Sequence, residues 1–547
     1  MRIAFLAVDT LWVDPAGSYS SFSYAARKLE ASVRGAPDLS HVETTVIDLK
    51  SDEPEAFFEA IRAFRPTLVA ASMYIWSVQT FFEVARRVKH WDPSVRVVLG
   101  GPAARESLVS LAPYRPMLRY VDAIATGEGE EVIRALARDV DGNALASIPG
   151  LLLPHPLGLR STGAGVRPEL DGYPSPYQIG TAPVGHTGFI ETFRGCPISC
   201  SFCQWGEQRS DRVYGRDYLA THLRGLVATR ARNVFFTDAA FNLSARAFRN
   251  LIDAENEVGA LAQFEVHGHF YPTHVKDEHV EFLSRVGKAH ASIGVQSFDS
   301  EVLRKLGRPF DPVRFERVLR DLRGRIPIDV ELIFGLPGDN PASFRATLEK
   351  TLELADTVRI FYPMVLPDAL LERTEEYQIR FDPTTFVLHE CIGWTERELR
   401  DGWEATVRST EGYQNRILSP TWVGFLTPSA AAVASHKGAR GIPVVASAQL
   451  QSLMSSLGAR VSGWSVSSAR REKDMLLLDL ISPGGAVVLE VTASNDGSRS
   501  FARRDGLAYS YRGSVDRATS GDLARVIEAI HPGTAQLLTA VSDGVQP

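Results

Sequence analysis

Three of the four cysteines in this 547-residue chain fall within eight positions, in the stretch RGCPISCSFCQWG at residues 194–206. An extracellular disulfide framework would spread an even number of cysteines along a short chain. A tight group in a long chain points instead to a metal centre in a reducing compartment. Structural zinc closes its tetrahedron with four ligands, and the fourth cysteine, Cys391, lies far along the sequence. Three thiolates from Cys196, Cys200 and Cys203 on one loop can ligate three irons of a cubane [4Fe-4S] cluster and leave the fourth iron open.

The cysteine loop directly follows the strand-like run FIETF, the first of six such runs. The others are NVFFTD, QFEVH, ASIGVQ, DVELIFG and VRIFYPMV, separated by helical patterns such as ARAFRNLIDAENEV and PVRFERVLRDL. Strand and helix alternation of this kind predicts a partial (β/α)6 barrel over 186–370, with chemistry at the C-terminal ends of its strands. An earlier alternation, from RIAFLAVD through VETTVIDL, PTLVAASMYIW, VRVVLGG and VDAIATGEG, predicts a doubly wound parallel sheet over 1–145. Ligands of such sheets sit beyond the C-terminal strand ends, which here carry Asp9, Tyr74 to Ser77, Gly100 to Ala103 and Gly127 to Glu130. Taken as pattern alone, those glycines serve equally well as plain turns. Residues 146–185 are rich in Gly and Pro and read as a linker. Beyond 370 the alternation stops, and DMLLLDLIS, GAVVLEVTA and GLAYSYRG predict antiparallel strands in a small α+β domain over 371–547, capping or substrate-binding in role. The fold class is therefore α/β throughout the first two thirds.

A net charge of −6 offers no footprint for nucleic acid. No apolar stretch reaches the roughly 18 residues that cross a bilayer. The N-terminal run MRIAFLAVDT is too short for a signal peptide and is broken by Asp9. These features predict a cytoplasmic protein that engages neither membrane nor nucleic acid.

The CxxxCxxC spacing after the first strand of a (β/α)6 barrel resembles the radical S-adenosylmethionine (SAM) superfamily. The likeness extends through FTDAAFN (236–242), FEVH (264–267), IGVQSFDSEVLRKLGR (293–308), ELIFGLPGDNPASF (331–344) and VLPDALLERTEEYQIRFDP (365–383). Together with the first domain, it resembles the class B radical SAM methyltransferases that carry an N-terminal cobalamin-binding domain, among them carbapenem-pathway methylases and a tryptophan 2-C-methyltransferase. The resemblance covers residues 1–385. It implies three cofactors, a [4Fe-4S] cluster, SAM and cobalamin, and an electron donor such as flavodoxin or ferredoxin. Phe202 would pack along the adenine, and Asp238, Glu265, Gln296 and Arg308 would hold the amino, carboxylate and ribose groups of SAM. Glu265 and Gln296 are also readable as interior barrel residues with satisfied hydrogen bonds. His267 and His269 alternate on one strand and share a face, but with no third ligand in evidence they read as structural or substrate-lining.

The DxHxxG motif that supplies a histidine beneath cobalt is absent from residues 1–145, and the nearest match, DEHVEF at 277–282, lacks the glycine. In its place the resemblance puts Tyr74 and Trp76 at the lower face of cobalamin, Gly100, Gly101 and Pro102 over the nucleotide tail, and Gly127 and Glu128 in a closing loop near the barrel. A large aromatic at a strand end is as often plain core. The implied function is transfer of a methyl group from SAM, by way of methylcobalamin, to an unactivated or aromatic carbon of a small-molecule or peptide precursor. A second SAM cleaved at the open iron would supply a hydrogen-abstracting radical, and a polar route without that radical is the variant. The alternatives are a radical SAM enzyme of another type, such as ring contraction or cyclisation, and a non-catalytic iron–sulfur sensor. A methylthiolase is disfavoured because no second cysteine set is present.

Overall fold

The apolar runs of the N-terminal segment become strands β1 (Arg2–Val8), β2 (Glu43–Leu49), β3 (Leu68–Ser72), β4 (Arg96–Gly100) and β5 (Ala123–Ala125), paired in parallel in the order 2-1-3-4-5. Alternate residues of β1 show why the run is continuously apolar. Ile3, Phe5 and Ala7 share a core with helices α1 (Tyr24–Arg34) and, further along, α5 (Gly129–Arg138), while Ala4 and Leu6 are equally buried on the opposite face. A parallel sheet covered on both sides needs exactly that absence of alternation in its sequence. Helices α2 (Pro54–Phe64) and α3 (Val78–Trp91) meet through the edge-on pair Phe57 and Phe81, and α4 (Glu106–Val109) follows β4. The expected linker is partly structured: β6 (Leu151–His155) and β7 (Gly158–Ser161) form an antiparallel hairpin that extends the sheet beyond β5. Pro154 of β6 lies beyond Leu152, where the pairing with β5 ends, so its missing N–H takes no bond from that strand.

The computed structural model describes the chain apart from residues 9–21, 50–51, 157, 168, 208–211, 411–415, 420–464, 473–474, 483–484, 493–501, 505–506 and 513–547. Asp9 lies outside the described residues, whereas the helical material expected early in the C-terminal segment is described at Glu396–Ser409. The chain divides into two units, Met1–Leu418 and Ser419–Pro547. In the second, β19 (Ser465–Glu472), β20 (Met475–Ser482), β21 (Gly485–Thr492), β22 (Ala502–Arg504) and β23 (Leu507–Arg512) form an antiparallel sheet in the order 19-20-21-23-22, as the alternating runs predict. Residues 371–410 belong to the first unit, so the division falls later than the end of the barrel pattern.

The six expected barrel strands form. β8 (Gly188–Ile190), β11 (Asn233–Phe236), β12 (Glu265–Phe270), β13 (Lys288–Gln296), β14 (Ile328–Ile333) and β15 (Thr357–Phe361) are parallel and adjacent in that order. Between β8 and β11 lies a short antiparallel ribbon of β9 (Phe193–Arg194) and β10 (Arg212–Val213). The helices are α6 (Arg216–Ala228), α7 (Ala245–Val258), α8 (Asp277–Arg285), α9 (Ser300–Lys305), α10 (Pro312–Leu322) and α11 (Pro341–Leu354). Side chains of Ser244, Asp311 and Asn340 accept backbone N–H bonds at the starts of α7, α10 and α11, and Gly259 ends α7 in the left-handed conformation. In β12 the alternation is plain: Val266, Gly268 and Phe270 pack outward toward Phe236 and Phe241, and Glu265, His267 and His269 face the concave side. The first unit is completed by the small ribbon β16 (Arg380–Phe381) and β17 (Leu388–Glu390), by α12 (Glu396–Ser409), and by β18 (Arg416–Ser419) beside β15.

A buried ionic network joins the two sheets. Arg194 donates to Glu128 at 2.8 Å, Glu130 at 2.6 Å and Glu191 at 2.9 Å, and Arg212 also pairs with Glu128. Lys28 of α1 reaches Glu191 at 2.5 Å and the Tyr214 hydroxyl, which itself donates to Glu191 at 2.8 Å. Burial works to raise the Glu191 carboxyl, but the Arg194 and Lys28 charges outweigh it and hold the group well below the usual carboxylate range. Removing one member of such a set leaves charges buried without partners, at a cost of about 3–5 kcal/mol. Arg194→Ala is therefore expected to lower the unfolding midpoint of the full chain markedly and Arg194→Lys to lower it less, as followed by circular dichroism. An unchanged midpoint in Arg194→Ala contradicts this assignment.

Candidate functional site

The cysteine loop is held at several points. Gly195 opens it at φ +97°, a conformation that L side chains rarely adopt. Asp238, at the end of β11, accepts from the Thr192 and Phe193 backbone N–H groups at 2.8 and 3.1 Å and from the Thr192 hydroxyl at 2.9 Å. On the far side, the Ser201 N–H donates to the Leu306 carbonyl at 2.9 Å, and the Tyr377 hydroxyl donates to Ser201 at 3.1 Å. Gly307 adopts φ +69°, and a Cβ there would stand 2.7 Å from the Ser199 carbonyl, so the chain after α9 touches the loop only because this residue has no side chain. Cys196 and Cys200 are buried and Cys203 is half-buried. Burial pushes the Cys203 thiol up to about 11, so ionisation requires a bound cation.

These thiols border an open cavity lined also by Phe202, Trp205, His269, Tyr271, Gln296, Arg308 and Glu331. Among the described residues, one trio of His, Cys, Asp or Glu side chains has its ligand atoms within 4.8 Å of one another, and it is not the cysteines. A single tetrahedral zinc would draw thiolates to about 3.8 Å, from zinc–sulfur bonds of about 2.3 Å. The wider setting fits a cluster of several irons. The cavity wall also fits a polar ligand: the Gln296 side-chain carbonyl oxygen is buried and without a hydrogen-bond partner. Gln296 further holds φ +72°, beside an irregularity in the β13–β14 pairing. Strain of this kind persists where the surroundings impose it and recurs at ligand sites. Arg308 points one guanidinium nitrogen at Cys200 Sγ (3.7 Å), donates another to the Gly294 carbonyl, and lies over the Tyr271 ring at 4.7 Å.

Of the expected SAM contacts, the structure places Phe202, Gln296 and Arg308 on the cavity and two others elsewhere. Asp238 does not line it. Its carboxylate, raised to about 7 by burial against three hydrogen bonds, is used to position the loop. Glu265 stands at the N-terminal start of β12, the end of the barrel opposite the mouth, and contacts His267, Lys288 and His290. Sequence reasoning missed Tyr271 and Glu331, which line the cavity together with His269, a residue read from sequence as structural or substrate-lining. The last two pair at 3.4 Å, and although burial opposes it, the Glu331 charge raises the His269 imidazole while His269 and Arg359 lower Glu331. Cys391 is buried apart, its thiol directed at the Gly335 carbonyl at 3.8 Å, and does not line the cavity.

The expected cobalamin residues gather at the C-terminal edge of the first sheet. Tyr74 and Trp76 follow β3 and stack at 4.5 Å with planes 12° apart, and the Trp76 indole N–H is buried without a partner. Gly101 takes φ +97°, and a Cβ there would meet the Met73 backbone at 2.8 Å; at Gly100 it would make only ordinary contact with Ala125. Pro102 offers its carbonyl to Gln204 of the cysteine loop at 3.2 Å. Gly127 (φ +82°) has open space beside it. The unpartnered indole and the space at Gly127 fit a large group seated on this edge. Glu128, in the loop expected to close near the barrel, directs its carboxylate at Arg194 and Arg212 and so joins the domains.

Residues 25–137 match the B12 binding domain family, and residues 190–351 match the radical SAM superfamily. The chain thus carries a B12-binding domain followed by a radical SAM domain, and the class of proteins with both implies cobalamin, SAM and a [4Fe-4S] cluster. Within that class, it is 30% identical over 352 residues to the cobalamin-dependent radical SAM methyltransferase TokK of Streptomyces tokunonensis, covering 58% of this chain and 50% of that one. It is 28% identical over 354 residues to 2-(S-pantetheinyl)-carbapenam-3-carboxylate methyltransferase of Streptantibioticus cattleyicolor, covering 59% and 51%. The chain spans about half the length of these curated relatives. Its fold resembles that of the radical SAM methyltransferase TsrM from Kitasatospora setae, solved with cobalamin and a [4Fe-4S] cluster, at a TM-score of 0.59 and 18% identity over 79% of this chain and 99% of that one.

Single replacement of Cys196, Cys200 or Cys203 by alanine is expected to abolish stable iron loading on anaerobic reconstitution, and Cys391→Ala to leave it intact. Iron and sulfide analysis checks this; normal iron in any of the first three variants, or its loss in Cys391→Ala, contradicts the assignment.

Proposed function

We propose that this chain is a cobalamin-dependent radical SAM C-methyltransferase that methylates a carbon of a small-molecule or peptide natural-product precursor. The observation that carries the reading is the joining of two sites by short contacts. The thiol-lined cavity with its unpartnered Gln296 oxygen lies on the same loop that touches Pro102 and is tied by Arg194 to Glu128, at the edge where the B12-binding domain would hold its ligand. When bound, the cluster supplies an electron, SAM the methyl group, and cobalamin its carrier.

In this reading Phe202 packs on the adenine and Gln296 accepts from a hydroxyl or ammonium donor of SAM. Arg308 pairs with the carboxylate or steadies the charge of the cluster sulfurs. Their roles follow from side-chain chemistry: a lone carbonyl oxygen can only accept, and a guanidinium can only donate. The His269 and Glu331 pair at the wall is placed to meet polar groups of the methyl acceptor. A reduced flavodoxin or ferredoxin serves as electron donor. Among the described residues, no helix is long and apolar enough to cross a membrane. Likeness to TokK and to the carbapenam methyltransferase favours methyl transfer.

Turnover with methyl-deuterated SAM and candidate acceptors, tryptophan and peptides first, is expected to give a product heavier by the labelled methyl. An unlabelled, rearranged product from a demonstrated substrate contradicts methyl transfer. Detection of 5′-deoxyadenosine in the same reaction separates the radical from the polar route.

Trp76 is assigned to the lower face of cobalamin. An indole nitrogen carries a proton and has no lone pair to give a metal, so the side chain would exclude both a nitrogen ligand and water. The cob(II)alamin EPR spectrum of the loaded protein is expected to lack nitrogen superhyperfine splitting, and Trp76→Ala to shift it toward a five-coordinate form. Nitrogen splitting in the unaltered protein, or an unchanged spectrum in Trp76→Ala, contradicts the placement.

A further inference from the structure

The concave face of the barrel holds a second cluster of ligating side chains, below the cavity and outside the chemistry assigned above. Glu265 and His267 alternate on β12, and the parallel register sets His267 beside His290 of β13. The Glu265 Oε1 atom lies 3.4 Å from His267 Nε2 and 2.9 Å from His290 Nε2. All three ligand atoms fall within 4.8 Å of one another, the one such trio among the described residues. We propose that Glu265, His267 and His290 form a binding site for a divalent transition-metal ion of the zinc type, built into the floor of the barrel.

The chemistry and the spacing agree. Two imidazoles and a carboxylate are donors suited to zinc, whose bonds to nitrogen and oxygen of about 2.0–2.2 Å imply separations of about 3.3–3.6 Å between neighbouring ligand atoms in a tetrahedron. The Glu265 to His267 distance, 3.4 Å, lies within that range, and the Glu265 to His290 distance, 2.9 Å, must lengthen by about 0.4 Å for an ion to enter. Ordering is also provided: the His267 ring lies flat between Phe235, at 5.2 Å and 1°, and His290, at 4.6 Å and 7°. The imidazoles are near-parallel, so loading requires the His290 ring to tilt until both lone pairs meet at one point. One cation already competes: Lys288 Nζ stands 3.6 Å from the same Glu265 oxygen, on a side chain that is 60% exposed and free to swing into water. Three protein ligands leave a fourth position for water. The ion would tie β12 to β13 near their N-terminal ends, where Lys288 now neutralises Glu265. His269, two residues further along the strand, is paired with Glu331 and takes no part in the trio.

The test uses the full chain with its iron–sulfur cluster reconstituted, incubated with zinc sulfate and dialysed. One zinc per chain is expected to be retained, with cluster iron unchanged. The zinc-edge X-ray absorption of that sample should show only nitrogen and oxygen neighbours at about 2.0–2.2 Å and no sulfur at about 2.3 Å. His290→Phe and His267→Gln should weaken zinc binding by more than the roughly 10–100-fold that loss of an outer partner costs, with cluster iron as the folding control. Lys288→Ala should strengthen it, an effect that a folding defect cannot imitate. Failure to retain zinc at micromolar concentrations, sulfur in its coordination, unchanged binding in both histidine variants, or weaker binding in Lys288→Ala overturns the proposal.

Discussion

The contact on which the arrangement depends is Arg194 with its three carboxylates. Two of these, Glu128 and Glu130, belong to the first sheet's last loop and helix, and the third, Glu191, ends the first barrel strand. Arg194 itself is two residues before Cys196. One planar guanidinium therefore fixes the distance between the edge that would seat one cofactor and the loop that would hold another. A lysine cannot do this with the same geometry, since its ammonium is a point charge on a flexible stem and lacks the rigid fork that addresses several carboxylates at once. With Arg212 and Lys28, three cations meet three carboxylates, so burial is tolerated without an excess of either sign. A buried network of this kind adds little net stability over apolar packing, and its value lies in specifying one arrangement.

The cysteine loop shows the same division between holding and acting. Every polar atom of Asp238 is directed at backbone or hydroxyl donors of residues 192 and 193, so its contribution ends at the loop it anchors. Gln296 is the converse case. Its backbone is forced into the left-handed region and its carbonyl oxygen is buried without a partner, two costs that a ligand-free barrel would have no reason to bear. The contrast separates a positioning residue from a binding one more sharply than sequence position does, because both stand at strand ends facing the same mouth.

Much of this was legible in the sequence because it is written locally. The spacing of Cys196, Cys200 and Cys203, the glycines at 101 and 127 and the period of the barrel strands are each set by neighbours a few residues away; both glycines turn the chain with positive φ and the six strands form in order. What was not legible depends on partners distant in the chain. Glu128 reads as a loop residue near a ligand until Arg194, 66 residues later, is seen to hold it. Glu265 reads as a strand-end acid, but its strand begins at that residue, so it stands at the opposite end of the barrel. Alternation gives the face a side chain occupies and says nothing about which end of the strand is the mouth. The β6–β7 hairpin was hidden for a related reason: edge strands of five and four residues with proline and glycine around them carry almost no periodic signal.

The concave barrel face carries ionisable groups at several levels of β12 to β15, with Phe235 stacked among them on His267, and the barrel being partial leaves room for them. A closed eight-stranded barrel fills its interior with branched apolar layers. Here the strands from β8 to β15 leave the interior open, and each level answers its own charges. At the floor Glu265 is shared by His267, His290 and Lys288; above them His269 meets Glu331, which Arg359 also approaches at 3.9 Å; at the mouth Arg308 faces the thiols. Each level pairs an acid or thiol from one strand or loop with a base from another. Neighbouring strands are thereby held by charge where a closed barrel would use apolar packing, and the space between them stays available to polar ligands.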